Sequence, residues 1–137
     1  MSQNYAMLEK ENLRCAKFCY DFDKDAALVA GTPIIIGAGQ IEDKALILGG
    51  AIYVETAILV AGGAANISLG VETATDVKNA LAKGSWTITT PLVVIPVPQT
   101  ANTWILTTAA RGLTITTSAY TVTAGKFWVW LYYVVLK

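Results

Sequence analysis

The sequence predicts an all-β fold: a β-sandwich or jelly roll of about eight or nine short strands, with one short helix at about residues 75–83. Three observations carry this. Apolar and polar residues alternate with a period of two in most segments, as half-buried strands require. Glycine, proline and asparagine break these segments every ~8–12 residues, the spacing of sandwich turns. Threonine and aromatic residues crowd the second half of the chain, and both suit a pleated surface.

Met1–Asn12 is polar and charged and is expected to form an arm outside a single domain, 13–137. Leu13–Asp23 alternates, with Arg14, Ala16, Phe18, Tyr20 and Phe22 turned to a core. Gly31-Thr-Pro33 turns into the apolar run Ile34–Ile36, which Gly37-Ala-Gly39 ends. Ala45–Leu48 and Ala51–Val60 read as two strands, with Ile52, Val54, Ile58 and Val60 on one face of the second. Gly62-Gly63 is expected to close a hairpin onto Ala65–Val71, because tight hairpin turns need positive φ. Thr73 and Asp76 have the spacing of a capping box, Val77, Ala80 and Leu81 share a helical face, and Gly84 stands at the stop position. These residues predict the helix.

Strand pattern returns at Trp86 and Ile88. Leu92–Val97 is flanked and broken by Pro91, Pro96 and Pro98, so it belongs at an edge or in an extended connection. Thr103–Thr108, Gly112–Thr117 and Ala119–Thr123 are further strands, and Thr123-Ala-Gly125 reads as a turn into Lys126–Leu136. That last strand is apolar on both faces, which calls for a second cover such as another subunit.

Of the 137 residues, 54% are hydrophobic and only 15% charged. Globular averages are about 45–50% and 25%, so excess apolar area needs a partner. Ten basic and ten acidic residues cancel, leaving no general attraction for nucleic acid or an anionic membrane. A membrane-spanning helix needs about 20 apolar residues, and no such run exists; the polar start lacks the pattern of a signal peptide. Cys15 and Cys19 share a strand face at ~13 Å, too far to bridge, and read as reduced structural cysteines.

Catalytic chemistry is scarce. With no histidine, Ser-His-Asp and Cys-His pairs and His-ligated metals are excluded. Gly37-Ala-Gly39 begins a dinucleotide fingerprint, but Glu42 stands where the third glycine belongs. Asp21, Asp23 and Asp25 alternate like calcium ligands, but Ala26 and Thr32 replace the glycine and glutamate of the loop. Asp21, Asp23 or Glu55 could serve an acid–base hydrolase, yet a solvated strand end and an outward carboxylate explain them as well. Trp86, Trp104, Trp128 and Trp130 fit a core or a subunit interface better than a sugar platform. No catalytic, cofactor or metal residues are therefore expected. The candidate oligomer or partner interface comprises Phe127, Trp128, Trp130, Tyr132 and Tyr133, with Arg111, the lone charge between Gly84 and Gly125, as an intersubunit ion pair.

The segments Ala51-Ile-Tyr-Val-Glu-Thr-Ala57, Gly62-Gly63, Ala65-Asn-Ile-Ser-Leu-Gly70 and Thr123-Ala-Gly-Lys-Phe-Trp-Val129 resemble small jelly-roll capsid decoration (cement) proteins of tailed bacteriophages. The resemblance covers roughly Gly31 to Lys137 and leaves Met1–Asp25 unmatched. It implies a homotrimer, made in the host cytoplasm, that binds the major capsid protein on the outer head after expansion and clamps neighbouring capsomers. It implies no catalytic residues. A tail or baseplate component, or a carbohydrate-binding receptor-recognition module, is the alternative.

Overall fold

The alternation in the first strand is realised directly: Ala16, Phe18 and Tyr20 are buried, while Leu13, Cys15 and Lys17 are exposed. In the computed structural model, which describes residues 13–87, 92–94 and 104–136, the chain forms eight strands. These are β1 (Leu13–Asp21), β2 (Ile34–Ile41), β3 (Ala45–Val60), β4 (Asn66–Gly70), β5 (Lys78–Ala82), β6 (Leu92–Val94), β7 (Arg111–Thr117) and β8 (Val122–Val135). The expected arm, 1–12, lies outside the described residues.

The strands form two four-stranded sheets, ordered β1-β8-β3-β6 and β2-β7-β4-β5. First pairs with last, second with seventh, third with sixth and fourth with fifth, all antiparallel. This is one long hairpin rolled up on itself, the jelly roll. The two inner faces close over a single core in which the Phe127 ring lies 4.7 Å from Trp86 and 5.4 Å from Tyr20.

Several local expectations change. No helix forms at 75–83: Lys78–Ala82 is β5, followed by a 3-10 turn, Lys83–Ser85. Asp76 does act on backbone amides, but its carboxylate accepts N–H groups preceding it in the chain, those of Val71, Glu72 and Thr73. It therefore closes the loop between β4 and β5 instead of starting a helix. Gly62-Gly63 closes no hairpin, because β3 and β4 belong to different sheets. The chain crosses between sheets there, and Gly62 is needed for space: a Cβ would lie 2.2 Å from the Tyr120 ring.

The two strands expected at 45–60 are one, sixteen residues long and bent by register shifts against β8. Thr123-Ala-Gly125 is no turn but an irregular stretch inside β8, where Gly125 has φ 143° and a Cβ would meet Ile58 at 2.3 Å. Of the strand expected at 103–108, the described part contributes one bridge, Leu46 to Leu106. The part of the proline-rich run that is described, β6, pairs with β3 as an edge strand.

Candidate interaction surface

The sandwich presents two outer faces of different chemistry. On β2-β7-β4, Ser68 stands opposite Thr116, and Thr114 opposite Ile35, so hydroxyl groups there adjoin one apolar side chain, Ile35, that is 64% exposed. On β1-β8-β3, the outward rows run Cys19–Trp128–Tyr53, Lys17–Trp130–Ala51 and Leu13–Val134–Leu46, with Tyr132 between Cys15 and Gly49. Leu13, Leu48, Tyr53, Leu59 and Tyr132 on this face are each 42% to 54% exposed. Contiguous apolar area of this kind marks interaction sites.

Local geometry makes the aromatic face orderly. The Trp128 and Trp130 rings lie 6.4 Å apart, 26° from parallel. Lys17 Nζ folds back over them, 4.4 Å from the Trp128 ring and 5.5 Å from Trp130, a cation–π contact. Trp128 Nε1 donates to Glu55 Oε2 at 2.9 Å, and Lys126 Nζ lies 3.2 Å from the same oxygen. The indole and ammonium donors hold the Glu55 carboxyl below the usual carboxylate range. Lys126, hydrogen-bonded to Glu55, is pushed up in turn. Every charge near the tryptophans is thus bound within the face itself.

The candidate interface residues divide by parity along β8. Phe127 and Tyr133 point inward and are 0% and 4% exposed, so they belong to the core and are not available to a partner. Trp128, Trp130 and Tyr132 point outward. Burial therefore covers one face of β8, not two. Arg111 is far from a free interface charge: its guanidinium forks onto Glu72 at 2.9 and 2.8 Å, and Thr108 also donates to that carboxylate. Lys17, Tyr53, Leu48 and Leu59 are members of the face that the sequence reading did not single out. Lys17 and Tyr53 left a trace, each on the side of an alternating strand that faces away from the core.

Asp21, Asp23 and Glu55 do come together, around an open pocket of about 370 Å³ that Lys126 also lines. Their oxygens serve the fold. Asp21 Oδ1 accepts the Asp23 N–H at 3.0 Å, and Asp25 Oδ2 accepts the Asp21 N–H at 2.7 Å. Glu55, with its carboxyl lowered, is poorly matched to a general acid. Among the described residues no cluster of three or more His, Cys, Asp or Glu is placed to hold a metal. Cys15 is exposed and Cys19 half-buried, and neither is in a disulfide. Burial pushes the Cys19 thiol up, away from reactivity. No described helix is long and apolar enough to cross a membrane.

No protein-family model matches the chain, and no curated protein does. Two solved structures are similar in fold. A chain of the cyanophage Pam1 capsid asymmetric unit superposes with a TM-score of 0.63 at 12% identity, covering 91% of this chain and 86% of that one. A chain of the acid-stable capsid of Helicobacter pylori bacteriophage KHP30 gives 0.51 at 10% identity, covering 90% and 88%. What the chain shares with these two phage capsid chains, along most of their length, is its fold.

Proposed function

We propose that the chain is a structural protein of a bacteriophage capsid, working by packing against other protein chains and carrying out no catalysis. The observation that supports this best is the exposed aromatic and aliphatic face on β1-β8-β3, borne by a fold common to two phage capsid chains. In its finer form the reading is a decoration or cement protein. The chain would sit on the outer surface of the head, contact the major capsid protein and copies of itself, as a trimer, and bridge neighbouring capsomers. Such a role needs broad, repeated, moderately apolar contacts rather than a deep pocket, since many interfaces of about 800 Å² per partner add through avidity. A sugar platform is disfavoured by Lys17, which occupies the ring faces of Trp128 and Trp130 where a sugar would stack.

Purified particles of a phage that encodes the chain test this reading, by peptide mass spectrometry and immunogold labelling. Multiple copies on the head surface are expected. Label confined to the tail would replace the capsid reading with the tail alternative, and absence from particles would refute both.

A further inference from the structure

Sheets end in edges, and an unprotected edge is a template for another strand. Three of the four edges among the described strands are spoiled. β6 has three residues and prolines at 91 and 96 on either side. β2 is broken by Gly37 and Gly39, with φ 58° and 80°, and by a register shift between Ile36 and Ile41. β5 carries Ala80 at φ 47° and another shift in its pairing. By contrast β1 runs nine residues without glycine or proline, in unbroken register with β8.

Hydrogen-bond parity shows which groups of β1 are free. Phe22 N–H donates to the Gly125 carbonyl of β8 at 3.0 Å, while Asp21 turns the other way, its N–H to Asp25 and its C=O to the amides of Lys24 and Asp25. In an antiparallel ladder these directions alternate. Leu13, Cys15, Lys17 and Cys19 therefore aim their N–H and C=O at the open edge, where no described residue takes them. Asp21 closes the row.

We propose that β1 pairs antiparallel with β1 of a second copy, about a two-fold axis at Ala16, joining two β1-β8-β3-β6 sheets into one. In this register Leu13 stands opposite Cys19 and Cys15 opposite Lys17 of the other copy. All four outward residues are used, for about eight backbone bonds. Sliding to Lys17 opposite Lys17 uses only three residues, because Asp21 is already occupied. A lysine on an edge strand ordinarily guards against pairing. Here it does not, because its ammonium is drawn over Trp128 and Trp130 on β8. The two ammoniums then stand three strand spacings apart or more, ~14 Å. That exceeds the ~8 Å Debye length at physiological salt, so their repulsion is screened. A second copy is the fitting occupant because its edge repeats the same four free residues in the matching order. The proposal stands independently of the capsid reading.

Single-cysteine variants test both pairing and register. Cys15 is the diagonal neighbour of Cys15 in the other copy, ~7–8 Å away. Cys19 and its counterpart are ~20 Å apart. With a short bismaleimide, Cys19→Ser should cross-link to a covalent dimer and Cys15→Ser should not. Cys15→Pro removes an N–H that faces the open edge and leaves the β8 ladder whole; Cys15→Lys sets a cation diagonal to its own counterpart in the other copy, ~7–8 Å away, and keeps the N–H. In native mass spectrometry each should raise the dimer dissociation constant by about tenfold or more, since the axis doubles every loss. A monomer at tens of micromolar, a closed trimer, whose subunits cannot share a two-fold β1 contact, or a wild-type Cys15–Cys19 disulfide dimer would each overturn the proposal.

Discussion

Asp76→Ala is the sharpest probe of how this chain folds without a helix. The Asp76 side chain is 1% exposed and accepts the N–H groups of Val71, Glu72 and Thr73 at 2.8, 3.0 and 2.9 Å. Hydrogen bonds to a charged group contribute about 1.5–3 kcal/mol each, but Glu72 and Thr73 are partly open to water that can replace the lost acceptor. Val71 is 5% exposed, so its amide has no such substitute. The loop is also tight, since a Cβ on Gly70 would sit 1.7 Å from the Thr73 carbonyl oxygen, which leaves little room for the amides to turn elsewhere. Discounting the two partly exposed bonds gives a loss of about 3 kcal/mol. With a urea slope of about 1–3 kcal/mol per molar, the midpoint should fall by roughly 1–3 M, read by tryptophan fluorescence. Asp76→Asn keeps one acceptor oxygen and should cost about half as much. A midpoint unchanged by Asp76→Ala, or an asparagine variant worse than alanine, would refute the loop-closing role.

Three further outcomes follow from the same geometry. Phe127→Ala should cost about 3–5 kcal/mol of stability, because the ring is fully buried between Trp86 and Tyr20. Tyr132→Ala, on the outer face of the same strand, should change stability by less than about 0.5 kcal/mol, and equal costs in denaturant titrations would overturn the parity assignment. Gly62→Ala should destabilise by about 1–3 kcal/mol through the clash with the Tyr120 ring, and adding Tyr120→Ala should recover most of it in a double-mutant cycle. The Arg111 fork beside Glu72 holds that carboxyl below its ordinary value of 4.5. A depressed carboxyl gives stability that is present above the ordinary value and lost as pH falls through the folded one. Thermal midpoints should therefore drop below about pH 4.5 in the wild type and less steeply in Glu72→Gln, and parallel curves would remove Glu72 from the acid response.

How far the fold could be read depends on the range of the interaction involved. The core side of β1 was legible at Ala16, Phe18 and Tyr20, because period-two alternation is a local consequence of the pleat. The stretch Thr73–Leu81 misled, since a threonine and an aspartate three apart serve a helix start and a loop equally well. The choice was made by long-range pairing of Ile67 with Leu81, which no local pattern encodes. The Gly62-Gly63 pair shows the same limit: small residues signal a turn, but here they make room for Tyr120, far away in sequence. In the site, aromatic character along β8 was plain, yet which side faced the core awaited the register. Phe127 and Tyr133 turned inward, while Trp128, Trp130 and Tyr132 stayed out.

Lys17 links these levels. In a sequence this poor in charge, a lysine on the exposed side of an edge strand reads first as a guard for solubility. Its position opposite Trp130 and beside Trp128 changes what it does. By lying over both rings it shields their faces from solvent and from sugars, and it carries its own charge inward, away from the open edge of β1. The outer face of the opposite sheet mixes Ser68, Thr114 and Thr116 with Ile35, 64% exposed. The excess apolar content of the chain is therefore not spread evenly over its surface. Leu13, Leu48, Tyr53, Leu59 and Tyr132 share the β1-β8-β3 face, where Lys17 lies over both tryptophan rings and turns its charge away from the β1 edge.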